Sequence, residues 1–170
     1  LNSTVKCKLG PSKIHGVGVF ALRDIYKDEK LYLLPNEKPH WYHIPPGSMS
    51  KLFPEVKELI LSQWASIING SRFLSPNDSC WMGLYINHDD NPNYQADVDK
   101  SLRDIKKGEE VTYDYAMTDA DYDYSFKCNC GSKDCRKVIT TNDWKSPALR
   151  RRYKGYFSWY VQGKIDKSHR

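Results

Sequence analysis

Three cysteines within eight residues, Cys128, Cys130 and Cys135, constrain this chain more than any other feature. Their C-x-C-x4-C spacing favours metal chelation over a disulfide framework, and an odd total of five cysteines fits a reducing compartment. Three thiolates supply three ligands, whereas a structural zinc site takes four in a tetrahedron. The distant Cys7 and Cys80 are either a source of the fourth or buried thiols.

The run Tyr113-Asp114-Tyr115 lies thirteen residues ahead of Cys128 and closes the segment Gly-Glu-Glu-Val-Thr-Tyr-Asp-Tyr that begins at Gly108. A tight polar turn, Asn87-His88-Asp89-Asp90-Asn91-Pro92-Asn93, starts 26 residues before Tyr113. Near the N-terminus stands Gly16-Val17-Gly18, which alone would mark only an ordinary turn. Taken in this order, from about Lys13 to Lys137, the segments resemble a SET-domain protein lysine methyltransferase with a post-SET zinc-binding segment.

The resemblance implies a mainly β chain of the β-clip-like SET type, with several small sheets and a pseudoknot that threads the last strand past Asn87 and His88. One internal helix and a C-terminal helix complete it. The expected division is a SET domain over 1–120, a post-SET cysteine segment over 121–140 and a basic helical extension over 141–170. S-adenosylmethionine would donate a methyl group to the side-chain amine of a lysine in a histone tail or another basic protein.

Residue by residue, Tyr115 matches the tyrosine beside the transferring methyl, and Tyr113 matches the position that tunes how many methyls are added. A tyrosine there implies mono- or dimethylation. Gly16, Val17, Gly18, Asn87 and His88 match cofactor-binding positions, joined by Tyr115 and by Phe126. Tyr122, Tyr124 and Phe126 would close over the adenine or the substrate lysine. The family's fourth zinc cysteine corresponds here to Asp90, and a carboxylate can ligate zinc. Leu84 stands where the family often has arginine. Asp119, Asp121 and Asp123 fill an insertion that either draws a basic peptide or remains a solvated loop.

The chemistry needs donor and amine in line, about 3 to 3.5 Å apart, where water cannot act as acceptor. Two apart on a strand, Tyr113 and Tyr115 would share a face and wall an aromatic channel. A phenol of pKa near ~10 is a poor base at neutral pH. The donor's positive charge, within ~4 to 6 Å of the amine, would favour the neutral nucleophile, and Tyr115 would orient it.

A chain of 170 residues suits one domain. The sequence shows no apolar run of the ~20 residues needed to cross a bilayer, and no signal-peptide pattern. An intracellular setting, nucleus or cytoplasm, is therefore expected, and the sequons at Asn2, Asn69 and Asn77 would matter only in a secreted chain. The net charge of +5 resides in the tail: residues 145–170 hold eight Lys/Arg against Asp166 alone. Such a tail either meets nucleic acid or an acidic surface weakly, or is a solvated helix face.

Two other function classes compete: a SET-like module that binds peptide, chromatin or nucleic acid without turnover, and a zinc-knuckle nucleic-acid binder. The second lacks stacking aromatics interleaved with basic residues around its cysteines. Residue patterns predict strands over 17–22 and 30–34 paired with each other, a loop over 35–47, and one helix carrying Leu52, Val56, Leu59, Ile60, Trp64, Ile67 and Ile68. They further predict short strands over 94–98, 101–105 and 110–115, and a helix starting at Ser146-Pro147 with a stripe of Leu149, Tyr153, Tyr156, Phe157, Tyr160 and Val161.

Overall fold

The computed structural model describes residues 4–33, 42–45, 47–61, 66–69, 71–74 and 82–168. In chain order it contains β1 (Cys7–Pro11), β2 (Val17–Ala21), β3 (Tyr42–Ile44), α1 (Pro54–Leu59), β4 (Ser66–Ile68), β5 (Ser71–Leu74), β6 (Asn87–His88), β7 (Tyr94–Gln95) and β8 (Lys100–Ser101). There follow β9 (Glu110–Tyr113), β10 (Ser125–Lys127), β11 (Val138–Thr140), α2 (Pro147–Arg152) and α3 (Trp159–Lys167). The expected mainly β architecture of small sheets is what the chain adopts.

The central sheet has the order β1-β2-β9-β6. Strand β2 runs antiparallel to β1 and to β9, with Val19 opposite Val111, both fully buried. Strand β6 is parallel to β9, with Asn87 opposite Thr112 and His88 opposite Tyr113. Around this sheet lies a core of Cys7, Ala21, Ile25, Leu31, Leu33, Ile86, Tyr94 and Ile105. Each such aliphatic side chain contributes roughly 1.5 to 3 kcal/mol on burial.

The partner of 17–22 is β1, not 30–34 as the sequence suggests. Leu31 and Leu33 are buried, but Tyr32 between them has φ 62°, which no strand tolerates. The backbone N–H groups of Tyr32 and Leu33 instead donate to the Asp99 carboxylate at 3.0 and 3.1 Å, which also accepts from the buried Tyr94 hydroxyl at 2.9 Å. One buried side chain thus does the work of a neighbouring strand. Leu34 lies outside the described residues.

The long internal helix is also shorter than its periodicity suggests. Among the described residues of this stretch only Pro54–Leu59 is α-helical, and Ser66–Ile68 forms a hairpin with Ser71–Leu74, which pairs in turn with Tyr42–Ile44. Asn69 at the turn has φ 49°, and Asn-Gly is the dipeptide that tight hairpins favour. Ile67 and Ile68 therefore belong to a strand, and Tyr42–Ile44 is a strand inside the expected loop, whose residues 35–41 and 46 lie outside the described residues, as does Trp64. In the 94–105 region the pairing shrinks to β7 with β8 and single bridges of Lys100 to Lys30 and Ile105 to Ile25, because Asp99 takes φ 56° and Ala96–Val98 forms a 3-10 turn.

The expected C-terminal helix is broken into α2 and α3 by Gly155, at φ 84°. The Ser158 hydroxyl accepts from the Val161 N–H and caps α3. Leu149, Tyr153, Phe157, Val161 and Ile165 still share one buried face, packed with Met117 and Trp144 as a second core, whereas Tyr156 is exposed. Among the described residues no helix is long and apolar enough to cross a membrane.

Candidate active site

Parallel pairing of β6 with β9 carries Asn87 and His88 next to the aromatic run. The Asn87 amide Nδ2 lies 3.2 and 3.1 Å from the carbonyls of His15 and Val17, and 2.8 Å from Glu110 Oε1. Glu110 Oε2 accepts from the Ser12 hydroxyl at 2.9 Å, and that hydroxyl oxygen accepts from the Ile14 N–H. Asn87 therefore fastens the glycine turn to the middle of the sheet. Gly16 is needed for the turn itself, at φ 48°.

Gly18 is needed for a different reason: a Cβ built there would stand 2.2 Å from Glu110 Oε1. Gly18→Ala is expected to cost about 1 to 3 kcal/mol, as overpacking does. Chemical denaturation would report it as a lower midpoint with an unchanged slope; an unchanged midpoint would mean that Glu110 relocates freely.

A cavity of about 290 Å³ opens beside these residues. Its walls are Ile14 and His15 from the glycine turn, Asn87 and His88 from β6, Tyr115, and Phe126 to Asn129 from the cysteine hairpin. Gly16, Val17 and Gly18 are not among the residues that line it.

Tyr115 is not on β9, which ends at Tyr113; it opens a 3-10 turn over Tyr115–Met117. Asp114, fully buried, makes that turn by accepting the Ala116 N–H at 2.9 Å. The two tyrosine rings still meet, with centroids 4.8 Å apart. The Tyr115 N–H donates to His88 Nδ1 at 3.2 Å, and its hydroxyl donates to the Ile86 carbonyl at 3.1 Å. Tyr124 and Phe126 lie 6.3 and 6.0 Å from its ring, and Tyr122 extends the cluster at 6.1 Å from Tyr124. Burial, reinforced by the charge of Asp119, pushes the Tyr115 phenol above its ordinary value.

Strands β10 and β11 form the hairpin that presents the cysteines, with Phe126 opposite Ile139. The Sγ atoms of Cys128, Cys130 and Cys135 and a carboxylate oxygen of Asp90 all lie within 4.8 Å of one another. Tetrahedral zinc with Zn–S of ~2.3 Å needs separations of about 3.7 Å, so the four donors require only a small contraction. Burial pushes the Cys128 thiol up to about 12. A metal entering here would displace thiol protons.

Arg136, next to the last cysteine, ties this hairpin to the sheet. Its guanidinium reaches Asp90 at 2.5 Å, Asp114 at 2.6 Å and Asp143 at 3.3 Å, and its backbone N–H donates to Asp90 at 3.0 Å. Burial alone would raise the Asp90 carboxyl; the His88 ring, 3.6 Å away, and the Arg136 N–H and guanidinium outweigh it and hold it down to about 2.

Comparison with known proteins gives this arrangement its family. The model of the SET domain matches residues 16–116, from the glycine turn to the residue after Tyr115. The chain belongs to the SET-domain family. It is 29% identical over 147 residues to histone-lysine N-methyltransferase trr of Drosophila melanogaster, covering 76% of this chain and 6% of that protein. It is 30% identical over 144 residues to histone-lysine N-methyltransferase 2D of Homo sapiens, covering 76% and 2% respectively. The chain thus spans only a small part of the length of these relatives. A solved Plasmodium falciparum chain, described as a candidate histone methyltransferase, aligns at 22% identity and a TM-score of 0.40 over 65% of this chain and 92% of that one.

Within this SET domain the structure gathers Asn87, His88, Tyr113, Tyr115 and Phe126 at one place, and Cys128, Cys130, Cys135 and Asp90 beside it. Cys7 is buried in the central core, away from that cluster, and Cys80 lies outside the described residues. Sequence reasoning missed Glu110, Asp114 and Arg136. The first two sit inside the segment that was singled out, but a carboxylate next to an aromatic gives no sign of its partner. A single arginine in a basic region gives none either.

Proposed function

We propose that this SET domain transfers a methyl group from S-adenosylmethionine to the side-chain amine of a lysine in a histone or another basic protein. The observation that carries this reading is Tyr115, which lines the cavity with Asn87 and His88 and also touches Tyr113 and Tyr124. The same ring thus borders both the cavity and the aromatic cluster. Bound S-adenosylmethionine supplies the electrophilic methyl. The chain's residues orient the amine, exclude water and keep the Tyr115 phenol protonated at neutral pH, so that its hydroxyl positions rather than deprotonates. Tyr113, with its hydroxyl beside Thr118, limits the product to mono- or dimethyl-lysine.

Labelled methyl offered from S-adenosylmethionine to core histones and to a whole-cell protein extract tests the reading, with mass spectrometry of the modified lysine and a parallel titration of S-adenosylhomocysteine. Lysine carrying one or two labelled methyls supports it. Neither transfer nor binding would return the chain to a non-catalytic peptide or chromatin module.

The division into a SET domain over 1–120, a post-SET segment over 121–140 and a basic extension over 141–170 forms part of the proposal, as does a nuclear or cytoplasmic setting where thiols stay reduced. Arg151, Arg152 and Lys154 are exposed on the extension and are the residues for a weak contact with nucleic acid or an acidic surface. Zinc is proposed on Cys128, Cys130, Cys135 and Asp90. Metal analysis of purified protein should find close to one equivalent, and Asp90→Ala should lower retention against a chelator while Asp90→Cys retains it. Metal-free protein with all four residues intact would count against the site.

A further inference from the structure

Three aspartates of the region between Tyr113 and Tyr124 have different company. Asp114 is paired with Arg136, and Asp121 with Lys164 at 2.7 Å. Asp119 has no lysine or arginine within ion-pair distance among the described residues. It is not a solvated loop residue either. Its Oδ2 accepts from the Tyr124 hydroxyl and its Oδ1 from the Thr118 hydroxyl, both at 2.7 Å, while its backbone N–H donates to the Tyr115 carbonyl at 2.8 Å.

The charge of this carboxylate is felt by all three tyrosines of the aromatic cluster. It raises the phenols of Tyr113, Tyr115 and Tyr124, in each case second to burial. A half-buried anion held by two neutral hydroxyls, with no lysine or arginine among the described residues to offset its desolvation, is costly unless a positive group arrives from outside. The surrounding rings narrow the choice, because aromatic faces attract a cation.

We propose that Asp119 is the anionic receptor for the substrate's ammonium group, holding a lysine side chain as a cation within the cluster of Tyr113, Tyr115 and Tyr124. The inference rests on the methyltransferase reading only in taking the cation to be lysine. A primary ammonium brings three N–H donors and one positive charge, which match the unfilled acceptor capacity of a carboxylate. Lysine enters charged, and it loses its proton only when the donor's positive charge shares the site. Asp119 therefore acts in capture, before chemistry.

Burial, partly opposed by hydrogen bonds from Tyr124 and Thr118, raises the Asp119 carboxyl to about 6. The groups facing it are Tyr113, Tyr115, Tyr124, Tyr122 beyond them, His88 and Asp114. Above this value the carboxylate is ionised and captures a cation; below it, capture weakens.

The test uses two small probes of equal length in the presence of S-adenosylhomocysteine: Nα-acetyl-lysine methylamide and its uncharged norleucine counterpart, titrated by NMR. The unaltered protein should prefer the lysine probe by about tenfold at pH 7.5, a factor worth ~1.4 kcal/mol, and lose most of that preference at pH 5. Asp119→Asn should abolish the preference while S-adenosylhomocysteine affinity holds, which also certifies that the variant is folded. Equal binding of both probes by the unaltered protein, or an undiminished preference in Asp119→Asn, overturns the proposal. Methyl transfer by the unaltered protein is measured separately. Preference with neither methyl transfer nor S-adenosylhomocysteine binding would sink the methyltransferase reading and leave Asp119 standing, whereas transfer without preference would do the reverse.

Discussion

Tyr115→Phe should lower the rate of methyl transfer by about 10²- to 10³-fold, the usual effect of deleting one positioned donor at a reacting centre. The fold should survive. The hydroxyl lost makes a single neutral hydrogen bond, to the Ile86 carbonyl, worth about 1 kcal/mol net. The ring keeps its contacts with Tyr113, His88 and Phe126, so the cavity wall remains. Single-turnover transfer, thermal melting and S-adenosylhomocysteine binding, measured on the same preparation, separate these contributions. Since burial drives the phenol upward, a role as free base would demand activity rising far into the alkaline range; a positioning role does not. Transfer by Tyr115→Phe at the parent rate would remove Tyr115 from the reaction.

Arg136→Ala should produce the largest loss of stability, about 3 to 5 kcal/mol, because it strands partners that cannot reach water. Asp114 is 0% and Asp90 1% exposed, and both have their carboxylates against the same guanidinium. For a chain of this size the loss corresponds to a melting temperature lower by roughly 6 to 20 °C. Arg136→Lys should recover only part of it, since an ammonium is a single point of charge and cannot span three carboxylates. Asp114 also caps the turn that begins at Tyr115, so damage at Arg136 reaches the aromatic cluster by one residue. A melting temperature within about 2 °C of the parent would show that the ion cluster is energetically neutral.

Most of what identifies the family was legible in the chain: the glycine turn, the Asn-His segment, the Tyr-Asp-Tyr run and the cysteines lie in order at the spacing found. Secondary structure was less so. The periodicity of Leu52 to Ile68 is genuine, yet the turn at Asn69 converts its end into a hairpin. Leu31 and Leu33 have the composition of a strand, but Asp99 takes the backbone donors of Leu31, Tyr32 and Leu33. The C-terminal stripe survives the break at Gly155 because Ser158 restarts the helix in phase, so the same apolar face is buried on both sides.

The sequence by itself determined which reactive groups the chain owns and that they are clustered in a metal-knuckle segment, an aromatic run and two turns. Residue type and short spacing carry that information, because ligand count, turn chemistry and strand alternation are local properties. The tertiary structure alone decided how those groups are used. It set Glu110 against Gly18, Arg136 among three carboxylates, and Asp119 among tyrosines with no lysine or arginine partner among the described residues. Each of these depends on the register in which distant segments cross, above all the parallel meeting of β6 with β9. A buried charge records its partner only when the chain has closed around it, for only then does desolvation make the pairing matter.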